Sequence, residues 1–218
     1  MAEDTTQRLR QVQDDLLRMG RAVESRLRRA LKALAALDAD AARAIAEADA
    51  ETDRQEVAVE RACLDVLAAA GRAKVDTAAV VACLKFNIDL ERAGDNVKNL
   101  AERVPILGSL GAGPPPDQIG HMGRIAGEML TDALDAVGRR DTVLAARVIQ
   151  RDDAVDVLME EVYRALLDDI AGRPEGLEAG LHHLTIAKTI ERVADHAAGI
   201  ARNVVFMVTG KIVRHKYR

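Results

Sequence analysis

Aromatic residues are scarce in this chain of 218 residues, which contains no Trp, two Phe and two Tyr. β-Sandwiches and barrels depend on aromatic and β-branched side chains, so an aromatic share of 2% argues against both classes of fold. The same scarcity leaves little material for a platform on which nucleic-acid bases could stack. Ala, Leu, Val, Arg, Asp and Glu dominate instead, and this composition is typical of an all-α protein.

Charge and hydropathy exclude further classes. The formal net charge is −4, whereas a general nucleic-acid binder is expected to be basic. No apolar run approaches the roughly 18 residues of a membrane-spanning helix. The opening residues, MAEDTTQRLRQ, lack the apolar segment of a signal peptide. We therefore expect a cytoplasmic protein.

Cysteine is almost absent, with Cys63 and Cys83 falling in different predicted helices. A disulfide framework or a cysteine-based zinc site needs more cysteines at other spacings. We predict that both residues are small buried thiols that pack as part of the core.

Proline and glycine divide the chain into two halves. The segment from Pro105 to Pro116 is rich in both residues and is expected to end a helix and act as a linker. The predicted organisation is a first domain at 1–105, a linker at 106–116 and a second domain at 117–218. Capping residues and helix-ending glycines such as Gly71 predict three helices in each half, at about 5–37, 40–70, 77–104, 117–138, 142–171 and 175–208.

The two halves also resemble each other. Met19-Gly20-Arg21 matches Met122-Gly123-Arg124, and Glu91-Arg92 matches Glu191-Arg192. The matches keep their order along the chain, so the sequence predicts an internal repeat of about 100 residues, each unit a three-helix bundle. Two such alanine-rich bundles joined end to end would form an elongated, thin molecule.

Carboxylates form stripes on four of the predicted helices. Because a helix turns about 100° per residue, Glu91 and Asp95 lie away from the apolar face of the third helix, and Glu191 and Asp195 do the same in the sixth. The helix before each of these adds further acids, namely Asp49, Asp53, Glu56 and Glu60 in the second helix and Asp152, Asp153, Asp156 and Glu160 in the fifth. Antiparallel packing would bring the two stripes of each bundle side by side.

Clustered carboxylates repel one another, and a divalent or iron-type cation relieves the repulsion by taking oxygen ligands. The candidate metal ligands are Glu91, Asp95, Glu191, Asp195, Asp49, Asp53, Asp153 and Asp156, with Glu56, Glu160, His196 and Asn99 as auxiliary residues. The alternative is that these acids face water and pair with Arg or Lys, as Glu-x-x-x-Asp pairs on charged helices usually do. The sequence leaves both interpretations open.

Signatures of enzymes are missing from the sequence. It contains no phosphate-binding Gly-rich loop, no G-x-S-x-G and no Glu-x-x-His of the kind that carboxylate-bridged di-iron bundles use. A non-catalytic regulatory adaptor that works by contact is therefore favoured, and no catalytic residue is assigned. A metal-dependent carboxylate-bridged enzyme and a purely structural helical protein are the alternatives.

Two segments resemble the signature of the PhoU family, the phosphate-transport accessory regulators. They are Leu90-Glu-Arg-Ala-Gly-Asp-Asn-Val-Lys-Asn-Leu-Ala-Glu102 and Ile190-Glu-Arg-Val-Ala-Asp-His-Ala-Ala-Gly-Ile-Ala-Arg202. The ending Val208-Thr-Gly-Lys-Ile-Val-Arg-His215 is similar to the C-terminal sequence of the family. The resemblance implies a cytoplasmic protein of two similar three-helix bundles, often a homodimer.

The resemblance also implies partners and a role. Family members contact the ATPase subunit of the phosphate ABC transporter and a sensor histidine kinase, restrain phosphate uptake and repress the phosphate-starvation response. The resemblance therefore implies a protein that meets the membrane only indirectly, through these partners. Some bind metal clusters through E/D-x-x-x-D motifs, which here are Glu91/Asp95 and Glu191/Asp195. Thr52 stands where the second repeat has Asp156, so the first metal site is expected to be weaker. Gly199 stands where the first repeat has Asn99, so the second site is expected to differ in its side contacts.

Overall fold

The computed structural model describes residues 2–70 and 76–212, and every regular element within those ranges is helical. The helices are α1 (Ala2–Ala36), α2 (Ala39–Glu47), α3 (Asp49–Ala70), α4 (Thr77–Ser109), α5 (Asp117–Arg139), α6 (Thr142–Gly172) and α7 (Leu177–Thr209), with a 3₁₀ turn at Pro174–Gly176. The predicted all-α fold is confirmed. Gly71, expected to end a helix, and residues 213–215 of the family-like ending lie outside the described residues.

The second predicted helix, 40–70, is wrong as a single element, because α2 ends at Glu47 and α3 begins at Asp49. Ala48 keeps a helical backbone between them, at φ −68° and ψ −8°. The carboxylate of Asp49 turns into the protein to meet Arg26. An interruption of one residue leaves the apolar spacing almost unchanged, and the sequence pattern therefore does not reveal it.

The predicted end of α4 is also wrong, since the helix continues through Pro105 to Ser109. A proline removes one backbone N–H from a helix, and packing on both sides of it can hold the helix together. Val104 and Leu107, which flank Pro105, are both fully buried. The predicted linker at 106–116 is therefore helical over residues 106–109.

The first two helices of each half are joined in the same way, which shows the repeat in three dimensions. Leu37 and Arg140 both adopt the left-handed backbone conformation, with φ of 51° and 53°. Each is followed by an aspartate, Asp38 or Asp141, whose carboxylate accepts backbone N–H groups of the next helix. The repeat found in the sequence is thus a repeat of local geometry.

The two halves pack side by side, so the end-to-end arrangement expected from the sequence is wrong. Gly20 of α1 faces Leu134 of α5, and Gly123 of α5 faces Leu31 of α1 in a reciprocal contact. A Cβ atom on Gly20 or Gly123 would lie 2.2 or 2.4 Å from a leucine methyl carbon, so glycine is what permits this close approach. The accessible surface is 11,523 Å². A compact monomer of this mass is expected to expose about 9,800 Å².

α4 and α7 lie at the centre of the molecule and run in opposite directions. Lys85 on α4 lies over the ring of Phe206 on α7, and Asp89, one turn later on α4, contacts the earlier residue Asn203. The buried residues near the middle of both helices include several alanines, namely Ala93 and Ala101 on α4 and Ala194, Ala197, Ala198 and Ala201 on α7. One hydrophobic core therefore runs through both halves.

Cys63 and Cys83 are buried and free, as predicted. Burial raises the pKa of the two thiols to about 11 and about 12, so both stay protonated and unreactive at neutral pH. Across the described ranges, no helix has the length and apolarity needed to cross a bilayer.

Candidate functional site

The two Glu-x-x-x-Asp pairs lie at equivalent places on the central helices, Glu91 and Asp95 on α4 and Glu191 and Asp195 on α7. In each pair the glutamate is half-buried and the aspartate is exposed. The half-buried glutamates lie towards the acidic stripe of the neighbouring helix, α3 or α6. The predicted pairing of acidic stripes within each bundle is therefore observed.

The first carboxylate groove lies between α3 and α4 and consists of Glu56, Glu91 and Asp95, with Asp53 and Glu60 beside Glu56. Burial raises the pKa of Glu91 to about 7, and the charges of Asp95 and Glu56 add to the increase. The pKa of Glu56 is also raised, by burial first and then by Glu60, Asp53 and Asp95. These carboxylates therefore lie close enough to oppose each other's ionisation.

The second carboxylate groove lies between α6 and α7 and consists of Asp152, Asp156, Glu191 and Asp195. Burial and the charge of Asp195 raise the pKa of Asp152 to about 6, although Arg202 opposes the change. The pKa values of Asp156 and Asp195 are also raised, in both cases by burial first and then by Glu191. Glu191 itself forms an ion pair with Lys188 of its own helix.

Asp49 does not belong to the first groove, so the prediction that it shares a face with Asp53 and Glu56 is wrong. It is only 2% exposed, and its Oδ1 accepts a hydrogen bond of 2.7 Å from Nη1 of the buried Arg26. Nη2 of Arg26 donates to Oγ1 of Thr52 at 2.6 Å. The network fixes the start of α3 against α1. Sequence periodicity missed it because Asp49 lies at the edge of the acidic face, beside the buried Thr52, where Arg26 of α1 covers it.

The other candidate residues are more scattered. Asp153 and Glu160 are exposed on α6, and Glu160 pairs with Arg164 one turn later. Asn99 is exposed on α4. Nδ1 of His196 lies 3.3 Å from Oδ1 of Asp89 on α4, so the imidazole faces the central helix pair. Asp152 is not among the predicted metal ligands, yet it faces Asp195 of α7. Its spacing of four residues from Asp156 is the sequence signal that places both on one face of α6.

The donor chemistry of the grooves fits a hard or borderline cation, because several carboxylates stand together and raise one another's pKa. Within residues 2–70 and 76–212, no three His, Cys, Asp or Glu side chains are already gathered as a metal site. Cation binding would therefore require side chains to reorient. The candidate holders are Glu56, Glu91 and Asp95 in the first groove, and Asp152, Asp156, Glu191 and Asp195 in the second.

The fold and its paired grooves define a class of duplicated helical proteins that carry matched carboxylate surfaces. Comparison with known proteins identifies the class. The family model described as "PhoU domain" matches residues 16–104 and 119–204, one match in each half. This chain belongs to the PhoU family.

Relatives and solved structures agree with this assignment. The chain is 34% identical over 200 residues to the phosphate-specific transport system accessory protein PhoU homolog of Zymomonas mobilis, a match that covers 92% of this chain and 84% of the relative. The crystal structure of PhoU from Pseudomonas aeruginosa superposes with a TM-score of 0.91 at 31% identity, over 94% of this chain and 99% of that one. The phosphate transport system regulatory protein PhoU from Streptococcus pneumoniae gives 0.89 at 26% identity, over 97% and 100%.

Replacing Asp49 by alanine is expected to destabilise the protein by about 3–5 kcal/mol, because Arg26 would be left buried without a counter-charge. Its repeat equivalent, Asp153, is exposed. Asp153→Ala is therefore the matched control and should change the free energy of unfolding by no more than about 0.5 kcal/mol. Urea unfolding followed by circular dichroism measures both. Equal losses in the two variants would contradict the buried ion pair.

The first groove should make stability depend on pH. The pKa of Glu91 is about 7 in the folded protein, against 4.5 for a glutamate free in water. Between these values the folded state binds more protons than the unfolded state, so the free energy of unfolding should fall as the pH rises from about 4.5 to about 7. Glu91→Gln should weaken this dependence and stabilise the protein at pH 8 by on the order of 1 kcal/mol, allowing for solvent screening.

Urea unfolding at pH 5 and pH 8, in the presence of a chelator, measures the change in this pH dependence. Glu102→Gln, an exposed position on the same helix, is the control. A pH dependence that is the same in the wild type and in Glu91→Gln would show that Glu91 titrates normally.

Proposed function

We propose that this chain is a cytoplasmic, non-catalytic regulator of phosphate homeostasis. It contacts the ATPase subunit of a phosphate ABC transporter and a sensor histidine kinase, lowers phosphate uptake and represses the phosphate-starvation response when phosphate is plentiful. The observation that carries the proposal is the PhoU match in both halves, together with relatives that are named for a phosphate-specific transport system.

The outer helices offer surface for such contacts. Val57 and Leu64 on α3 are 57% and 55% exposed, and Val157 on α6 is 60% exposed. Apolar side chains that face solvent beside charged grooves suit a protein that binds other proteins. The same surfaces are available for a homodimer, which is part of the proposal.

The carboxylate grooves are the proposed control points. Each groove holds carboxylates whose mutual repulsion is only partly offset by neighbouring Lys and Arg residues. A divalent or iron-type ion held there would supply positive charge, and so would a basic segment of a partner protein. Metal and partner would then act on the same acids, and metal occupancy would set how strongly a basic partner is attracted.

Deleting the gene is expected to raise transcription from phosphate-starvation promoters several-fold in phosphate-rich medium, with faster phosphate uptake. The wild-type gene should restore repression, whereas the double variant Glu191→Gln/Asp195→Asn should restore it poorly, because the second groove loses two charges. A promoter fusion and an uptake assay with labelled phosphate measure both effects.

Glu178→Gln, an exposed acid in the first turn of the same helix, is the matched control and should restore repression fully. Unchanged repression after deletion would refute the regulatory role. If the double variant restored repression fully, the second groove would not be needed for regulation.

Metal binding is expected to stabilise the purified protein. After treatment with a chelator, adding Mn²⁺ well above its dissociation constant should contribute about 2–3 kcal/mol and raise the Tm by several degrees. Protons should be released as the groove carboxylates take up the ion. Differential scanning fluorimetry measures the shift, which Glu191→Gln/Asp195→Asn should reduce. An identical shift in wild type and variant would place the metal elsewhere.

A further inference from the structure

A basic cleft lies between α4 and α7 and shares no lining residue with either carboxylate groove. Its volume is about 360 Å³, and its polar lining consists of Lys85, Asp89, Arg92, Arg202 and Asn203, with Gly199 opening one wall. Three of these side chains are cations and one is a carboxylate, in a chain whose net charge is −4. The cleft therefore concentrates positive charge on an otherwise acidic molecule.

The cations of the cleft form no close ion pair within the described residues, although the charge of Arg202 also acts on Asp152 and Asp195 of the second groove. Within the described part of the chain, neither Arg92 nor Arg202 has a carboxylate oxygen within 4.0 Å. The ammonium of Lys85 lies 4.5 Å from the centre of the Phe206 ring, a contact that leaves its charge uncompensated. The guanidinium groups are therefore free to bind an oxyanion in pairs of hydrogen bonds.

The single acid of the cleft, Asp89, is held in place by α7. Its Oδ2 accepts a hydrogen bond of 3.3 Å from Nδ2 of Asn203, and its Oδ1 lies 3.3 Å from Nδ1 of His196. A Cβ atom on Gly199 would lie 3.0 to 3.2 Å from this carboxylate, so glycine leaves it room. Asp89 thus presents a fixed hydrogen-bond acceptor beside three cations.

The internal repeat shows that the fold does not require this cluster. The equivalent positions in the opposite half, 100 residues away, hold Thr185 for Lys85, Thr189 for Asp89, Glu102 for Arg202 and Asn99 for Gly199. Among the three cations of the cleft, only Arg92 has a basic counterpart, Arg192, while Arg103 and Lys188 stand at the positions equivalent to Asn203 and Ile88. Because the opposite half carries Thr185 and Glu102 where the cleft has Lys85 and Arg202, helix packing alone does not require those two cations.

We propose that this cleft binds inorganic phosphate as the hydrogen phosphate dianion. Lys85, Arg92 and Arg202 supply the counter-charge. Asp89, which is acceptor-only when ionised, accepts the proton that this anion keeps near neutral pH. Sulfate has the same shape and charge but no proton, and a phosphate monoester has lost its second proton well below pH 7.5. Both would therefore be repelled by Asp89. The argument uses the cleft alone and does not rest on the proposed regulatory role.

Isothermal titration calorimetry of the full chain, treated with a chelator and held at pH 7.5 and constant ionic strength, tests the proposal. Phosphate should bind saturably, and sulfate and glycerol phosphate should bind at least about tenfold more weakly. Arg92→Gln and Lys85→Gln should each weaken phosphate binding by about tenfold. Arg192→Gln, the repeat equivalent of Arg92→Gln, is the matched control and should leave it unchanged.

Asp89→Asn should remove the discrimination and bring the affinities for phosphate and sulfate within about twofold of each other. The exposed position of Arg92 keeps the test informative if the Asp89 variant does not fold. Absence of saturable phosphate binding would overturn the proposal. So would equal affinity of the wild type for phosphate and sulfate, or equal weakening by Arg92→Gln and Arg192→Gln, since each would indicate unspecific attraction.

Discussion

Close packing between α4 and α7 is the constraint on which the rest of the structure depends. Alanines lie among the larger buried residues of both helices, and Gly199 of α7 faces Asp89 of α4, so the two helices can pack closely. The packing of α4 against α7 determines which sides of each helix face other helices and which face solvent. One side of each helix meets α3 or α6 and forms a carboxylate groove, and the seam between the two helices forms the basic cleft.

The two halves share one backbone geometry but place different charged residues on it. In the first half, the chain supplies its own cation, since Arg26 reaches Asp49 and Thr52 from α1. The position 103 residues after Arg26 is Met129, which is buried and apolar. The second half therefore has no internal counter-charge at that place, and Asp153, the equivalent of Asp49, stays exposed on α6. A duplicated fold has in this way kept one backbone plan and produced two chemically different faces.

Much of the fold could be predicted from the sequence because it rests on local signals. Apolar spacing, aspartate caps and the repeated Met-Gly-Arg segments indicated six helical segments in two similar halves. The break at Ala48 and the continuation of α4 through Pro105 could not be predicted, because both depend on tertiary contacts. Arg26 draws Asp49 inward, and the burial of Val104 and Leu107 holds the helix across the proline.

The candidate site shows the same division. Counting along helices placed Glu91, Asp95, Glu191 and Asp195 correctly at the grooves, since a face follows from spacing alone. Counting could not show that Asp152, and not Asp153, faces the groove, or that Asp49 lies outside the first groove. Adjacent positions differ by about 100°, and the neighbouring helix decides which of them it covers. The basic cleft could not be predicted from the sequence, because it joins residues from α4 and α7 that are more than 100 positions apart.

The cleft and the second groove are linked electrostatically through Arg202. This residue lines the cleft, and its charge lowers the pKa values of Asp152 and Asp195 in the groove. An anion bound beside Arg202 would offset that charge and leave the groove carboxylates more strongly repelled by one another. A cation in the groove would then be bound more tightly, and by thermodynamic reciprocity the cation would favour the anion. Phosphate bound in the proposed cleft would therefore act through Arg202 on the affinity of the second groove for cations.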